Sequence, residues 1–256
     1  MVMNFNVIAS GSSGNCYCIE NNGYFIFVDA GATLTSIRKG LENRKPDKEK
    51  GASLFITHEH TDHISGVLPL ISCYNPKIYT SKGTAAVLAE KGVNTEIIYT
   101  IDANITYEFA DFTVMPFKTM HDACEPFGFK FGFGDNVLSI ATDFGIVTDE
   151  LFKAIENTQV LTVESNYEDD LLKKNRKYPE YLKRRILSKK GHLSNKDAFY
   201  LIGELSKSGL KRCFLGHVSE NNNNYDILEK YADACLNVYN VEASVLKQKT
   251  RAVFNI

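Results

Sequence analysis

The chain lacks any long apolar run. No stretch approaches the ~18 residues needed to span a bilayer, so no membrane-crossing helix is expected. A targeting signature is also missing: Met1 to Ile8 reads as the start of a strand, with neither the charged start nor the apolar core of a signal peptide. Cysteine occurs only six times, at Cys16, Cys18, Cys73, Cys124, Cys213 and Cys235. These positions show neither the paired spacing of a thiolate zinc site nor the density of a disulfide-stapled secreted domain. Cys16 and Cys18 alternate along a strand and read as small core residues. The absences together suggest a reduced, cytoplasmic protein. Net charge is only −2, which by itself says nothing about nucleic acid. Repeats and linker-like segments are missing too, so residues 1–256 are read as a single domain. What remains, 44% hydrophobic and 23% charged residues, is ordinary for a globular enzyme.

Histidine is scarce as well, with six in 256 residues, yet three fall within His58-Glu59-His60-Thr61-Asp62-His63. This hexapeptide follows the apolar run Ser53 to Thr57, which reads as a buried strand. Imidazole and carboxylate suit zinc, iron and manganese. In extended backbone the i, i+2 pair His58 and His60 leaves the strand end on one side. Asp62 and His63 come where the chain turns into a helix spanning Ile64 to Cys73, which aims them at a neighbouring point. Two pairs directed at adjacent points suggest two metals. Glu59 lies between the histidines and should point away from them.

Around this motif the chain alternates between strand and helix patterns. Strands are expected at Val2–Ala9, Cys16–Glu20 and Tyr24–Val28, with a hairpin turn at Asn21-Asn22-Gly23. Glu96–Thr100, Ile105–Phe109 and Phe112–Phe117 read as antiparallel neighbours. Helices are expected at Pro179–Lys189 and Asn195–Ser206, among others. Strands faced by helices, in two halves of similar make-up, fit an α/β (α+β) layout of two packed mixed sheets with helices outside, an αββα sandwich.

The other three histidines are His121, His192 and His217. His121, Asp143 and His217 each lie just beyond the C-terminal end of an apolar strand, as His58 does, and ligands so placed can converge on one edge of a sandwich. In order and spacing, His58-x-His60-x-Asp62-His63 followed by His121, Asp143 and His217 resembles the metallo-β-lactamase-fold hydrolases over nearly the whole chain. The resemblance implies one divalent metal held by His58, His60 and His121, and a second by Asp62, His63 and His217. Asp143 would bridge them, with a metal-bridging hydroxide as nucleophile. Zinc, manganese and iron all suit these donors.

Finer motifs resemble the YycJ/WalJ group. They are Ser10-Gly11-Ser12-Ser13-Gly14-Asn15, Thr57-His58-Glu59-His60, Ala141-Thr142-Asp143, Glu164-Ser165-Asn166, Gly191-His192-Leu193-Ser194-Asn195 and Leu215-Gly216-His217-Val218-Ser219. That resemblance implies a DNA-processing nuclease with double-strand-directed 5′→3′ exonuclease activity. The Glu164 and His192 pair is also similar to one that assists proton transfer in tRNA 3′-processing relatives, although no long tRNA-binding arm is evident. A phosphodiesterase needs charge neutralisation, an in-line nucleophile and a proton donor for the leaving oxygen. His192 is the histidine left for general acid, with Glu164 orienting it, and Asp62 is counted with them in catalysis.

Charge is unevenly spread. Between Lys173 and Lys190 stand nine Lys or Arg against the single acid Glu180, an electrostatic footprint expected to contact backbone phosphates, with Lys183, Arg184 and Arg185 at its centre. Ser12, Ser13 and Asn15 are candidate donors to a phosphate. Nucleic acid, DNA before RNA, is therefore the expected substrate. A small-molecule acyl hydrolase acting on a thioester, lactone or lactam is the rival on the same fold.

Overall fold

The structure is a computed structural model in which residues 3–248 and 252–255 are described. The chain divides into two compact units, Met1–Asp102 with Ala123–Phe127 and Gln248–Ile256, and Ala103–Asp122 with Gly128–Lys247. Each contains a seven-stranded mixed sheet.

In the first unit the strands are β1 (Asn4–Ala9), β2 (Cys16–Asn21), β3 (Tyr24–Val28), β4 (Ala52–Phe55), β5 (Lys77–Thr80), β6 (Ile98–Thr100) and the last strand of the chain, β14 (Ala252–Asn255). Their order is β14-β1-β2-β3-β4-β5-β6. β14, β1, β2 and β3 run antiparallel, whereas β3 to β6 are parallel. β4 is buried throughout, Ser53 included, which is why it reads as a largely apolar run and not as an alternation of apolar and charged residues. Helices α1 (Leu34–Gly40), α2 (Thr61–Ile64), α3 (Val67–Tyr74) and α4 (Lys82–Glu90) complete the unit. Phe25 and Phe27 on β3 pack against Tyr74 of α3 in its core. Cys16 and Cys18 are fully buried and their thiols are pushed up by burial, as suits core residues.

The second unit carries β7 (Tyr107–Glu108), β8 (Thr113–Lys118), β9 (Phe127–Phe133), β10 (Asn136–Ala141), β11 (Val160–Glu164), β12 (Arg212–Gly216) and β13 (Glu242–Val245), ordered β13-β12-β11-β10-β9-β8-β7. β10 to β13 are parallel, and β9 pairs antiparallel with β10. Its helices are α5 (Asp149–Ile155), α6 (Asp169–Lys174), α7 (Glu180–Ile186), α8 (Asn195–Ser206) and α9 (Tyr225–Tyr239). Ser194 caps α8, accepting from Asp197 N at 3.0 Å, and so fixes where the turn after His192 ends.

Some expected elements change. The first strand begins at Asn4, while Val2, assigned to it from sequence, lies outside the described residues. The helix expected over Ile64–Cys73 is two pieces, because a Cβ on Gly66 would meet Ala32 O at 2.1 Å. That close approach needs glycine and interrupts the helix. Glu96–Thr100, Ile105–Phe109 and Phe112–Phe117 are not consecutive neighbours: β6 pairs parallel with β5, and only β7 and β8 pair antiparallel. α7 stops at Ile186, short of Lys189. Among the described residues no helix is long and apolar enough to cross a membrane.

Candidate metal centre

The first unit supplies two donor pairs. β4 delivers the chain, still extended, to Thr57 and His58, and α2 then turns Asp62 and His63 back beside them. His58 Nε2 lies 3.1 Å from His60 Nδ1, and Asp62 Oδ2 lies 3.4 Å from His63 Nε2. Beneath them sits Asp29, just after β3, fully buried and at φ 57°. Its carboxylate accepts from Thr57 N at 2.8 Å, from Thr57 Oγ1 at 2.9 Å and from His63 Nδ1 at 2.7 Å. Because the Thr57 hydroxyl donates to Asp29, it accepts from His58 Nδ1 at 3.0 Å. Both Nδ1 atoms therefore carry the proton, and Nε2 of His58 and of His63 is the acceptor nitrogen, the state a metal ligand requires. Asn15 closes its own loop onto Gly11 and places its amide nitrogen 3.1 Å from His63 Nε2 and 3.3 Å from Asp62 Oδ2.

The second unit gathers its donors at the C-terminal ends of neighbouring parallel strands, where open α/β sheets hold their ligands. Asp143 follows β10, Glu164 ends β11 and His217 follows β12. Asp143 and His217 adopt φ 61° and 50°, left-handed turns that re-aim a side chain at a strand end. Three imidazoles converge on Asp143 Oδ1: His217 Nε2 at 3.3 Å, His192 Nδ1 at 3.6 Å and His121 Nε2 at 3.7 Å. His121 Nδ1 donates to Gly191 O at 3.2 Å, which directs Nε2 inward. His192 Nδ1 donates to Glu164 Oε2 at 3.0 Å, and Glu164 Oε1 accepts from Phe144 N at 2.7 Å. Asn166 Nδ2 donates to His217 O at 2.8 Å and braces the strained turn.

The donors fit divalent metal. Asp143, Glu164, His192 and His217 bring ligand atoms within 4.8 Å of one another. The donor spacings of 3.1, 3.4 and 3.3 Å just described match the roughly 3.3 Å edge of a tetrahedron with ligands about 2.0–2.1 Å from zinc. Nitrogen and oxygen donors without thiolate also admit manganese and iron.

Glu59 points away from the histidines: Cys124 N donates to its Oε1 at 2.8 Å and Thr84 Oγ1 to its Oε2 at 3.3 Å. Burial pushes the Glu59 carboxyl up, but these bonds outweigh it and hold it below the usual range. Ser12 and Ser13 are exposed, whereas Asn15 is buried as a brace for Asp62 and His63. Within the basic segment, Lys183 Nζ donates to Lys173 O at 2.9 Å, and Arg185 Nε donates to Asp122 Oδ2 at 2.5 Å beside His121. Arg184, Lys189 and Lys190 are exposed. Sequence reasoning missed Asp29 and Asp122. Asp29 had a readable signal, a carboxylate closing an apolar strand in Val28-Asp29-Ala30, the same pattern as Ala141-Thr142-Asp143.

The β-lactamase superfamily domain model matches residues 24–217. Exodeoxyribonuclease WalJ of Streptococcus pneumoniae serotype 2 is 33% identical over 226 residues, 86% of this chain and 82% of its own. Exodeoxyribonuclease YycJ of Bacillus anthracis is 30% identical over 225 residues, 87% of this chain and 85% of its own. Among solved structures, the metallo-β-lactamase fold protein YhfI of Bacillus subtilis aligns at 18% identity with a TM-score of 0.73, over 99% of this chain and 100% of its own. That likeness is one of fold, and it bears out the αββα class. The chain belongs to the β-lactamase superfamily with the metallo-β-lactamase fold, in its WalJ/YycJ-like group.

Proposed function

We propose that the chain is a two-metal phosphodiesterase that removes nucleotides from DNA in the 5′→3′ direction, in the cytoplasm. The observation that carries this reading is the buried Glu164 carboxylate holding His192 at 3.0 Å, next to Asp143. The alkoxide leaving a phosphodiester needs a proton, and this pair is placed to supply it. The names of the two relatives, both exodeoxyribonucleases matched over most of their length, support DNA as substrate.

The ions would be held by His58, His60 and His121 for one and Asp62, His63 and His217 for the other, with Asp143 serving both. Bound there, they would neutralise the phosphodiester and lower the pKa of a water to about 7. His192, its Nδ1–H fixed on Glu164, presents Nε2 as the proton donor to the leaving oxygen. Asp29 and Thr57 hold the imidazole tautomers that make His58 and His63 ligands. Arg184, Lys189 and Lys190 take backbone phosphates, and Ser12 and Ser13 offer hydroxyls to the strand. Zinc, manganese and iron remain equal candidates.

The test is a panel of 5′- and 3′-labelled DNA and RNA strands incubated with purified protein under zinc, manganese, iron and magnesium, with elemental analysis alongside. Stepwise release from the 5′ end of DNA is expected. Turnover of a thioester with no nucleic-acid cleavage under any metal would overturn the reading.

A further inference from the structure

The second unit contains a cleft of about 380 Å³ that the metal chemistry does not use. Its floor and walls are apolar, formed by Val147, Phe152, Leu193 and Leu201, and its open side carries Tyr200, 56% exposed. Asp197, Tyr200, Leu201 and Glu204 recur at i, i+3, i+4 and i+7 along α8, so one helical face lines it. The cleft shares its chain segments with the candidate catalytic groups: Gly145 follows Asp143 by two residues, and Leu193 follows His192 directly.

Three features define the ligand. The volume and mostly apolar lining are those of a small-molecule pocket, and the exposed Tyr200 ring gives a flat apolar guest a stacking face. The carboxylates that line it, Asp197 and Glu204, are exposed acceptors within reach of N–H donors of a guest; Asp197 Oδ2 accepts from Ser194 Oγ at 2.8 Å, and Glu204 pairs with Lys207 at 2.7 Å. Lysines lie nearby as well. Lys196 Nζ sits 5.9 Å from the centroid of the Tyr200 ring, and the loop bearing the exposed Lys189 and Lys190 packs directly on the cleft wall at Gly145. There, a Cβ would meet Ser188 O at 2.0 Å. A flat ring with N–H donors, joined to an anion, is a nucleotide.

We infer that this cleft binds the base of one substrate nucleotide, stacked on Tyr200, while Lys189, Lys190 and Lys196 face its phosphates. The inference rests on the nuclease reading and sharpens it. A base seated in the cleft is unstacked and unpaired, so the substrate end at the site is single-stranded or frayed.

The chain has no tryptophan, so Tyr200→Trp puts its sole indole at the cleft mouth. Titration of that variant with deoxyadenosine 5′-monophosphate should quench its fluorescence saturably. With wild-type protein, an abasic residue at one of the first positions of the DNA should raise KM about 5- to 150-fold, the worth of one stacked base, with little change in kcat. Absence of saturable quenching, or a KM indifferent to abasic sites at every position while DNA is still cleaved, overturns the cleft and leaves the nuclease intact. Saturable quenching in a protein that cleaves no nucleic acid keeps the cleft and rejects the nuclease.

Discussion

Replacing Asp29 with Asn preserves the shape of a fully buried side chain and changes only which atoms donate. Asn tolerates the left-handed backbone at φ 57°, so the turn itself should survive. The wild-type carboxylate accepts from Thr57 N at 2.8 Å and from His63 Nδ1 at 2.7 Å through different oxygens. An amide has one oxygen, so either orientation sets an NH₂ against a donor. With the oxygen kept on Thr57, relief requires the His63 proton to move to Nε2, the atom that must bind metal. Losing a hydrogen bond to a charged group costs about 1.5–3 kcal/mol. The middle of that range, about 2 kcal/mol, is about 30-fold in a binding constant. Loss of a carboxylate behind a ligating imidazole typically weakens metal binding about 10- to 100-fold, and the two figures agree. Chelator-competition titration of zinc into D29N and wild type measures the difference, and a thermal melt of the metal-free proteins checks that the fold persists. Equal zinc affinity in the two proteins would refute the tautomer argument.

His192→Ala should retain its metal by elemental analysis yet turn over about 10²- to 10⁴-fold more slowly, the usual weight of general acid catalysis; loss of metal instead would make His192 a ligand. Neutralising Arg184, Lys189 and Lys190 together should flatten the salt dependence of DNA binding by about one unit of slope for each phosphate no longer neutralised, measured by filter binding across salt concentrations. Lys183→Ala, which removes the tie to Lys173 O, should lower the melting temperature more than it changes that slope. Tyr74 is 6% exposed, and burial pushes its phenol up to about 12. Its folded pKa exceeds the unfolded value of about 10, so its contribution is intact below pH ~10 and is lost as pH rises towards 12. Wild type should therefore lose up to about 2–3 kcal/mol more than Tyr74→Phe over that window in urea unfolding, and parallel curves would refute it.

The metal motif is legible in the sequence because its residues are rare and local: three of six histidines stand in one hexapeptide, and the extended backbone before it sets their direction. Asp143, His121 and His217 are legible from their places after apolar strands. What the sequence hides are facts about partners far along the chain. Nothing near Asp29 announces that Thr57 and His63 will donate to it. The apolar period runs smoothly from Ile64 to Cys73, and only the approach of Ala32 O to Gly66 breaks the helix. The charge run from Lys173 to Lys190 looks uniform, yet Lys183 is half-buried on Lys173 O, and Arg185, though exposed like Arg184, is held by Asp122. A string of charges cannot say which ones the fold ties down.

The pairing of β1 with β14 has a consequence for how the protein is made. Asn4 meets Asn255 and Val7 meets Ala252, so β1 is covered by a strand synthesised more than 240 residues later, which takes over as the edge of the first sheet. Until then β1 presents a row of unsatisfied backbone donors and acceptors, the template on which strands of other molecules add. So non-local a pairing closes slowly. During translation this edge is open to mispairing or to capture by a chaperone. Deleting 252–255 should leave β1 as the exposed edge in place of β14 and raise aggregation, read by light scattering against the full chain.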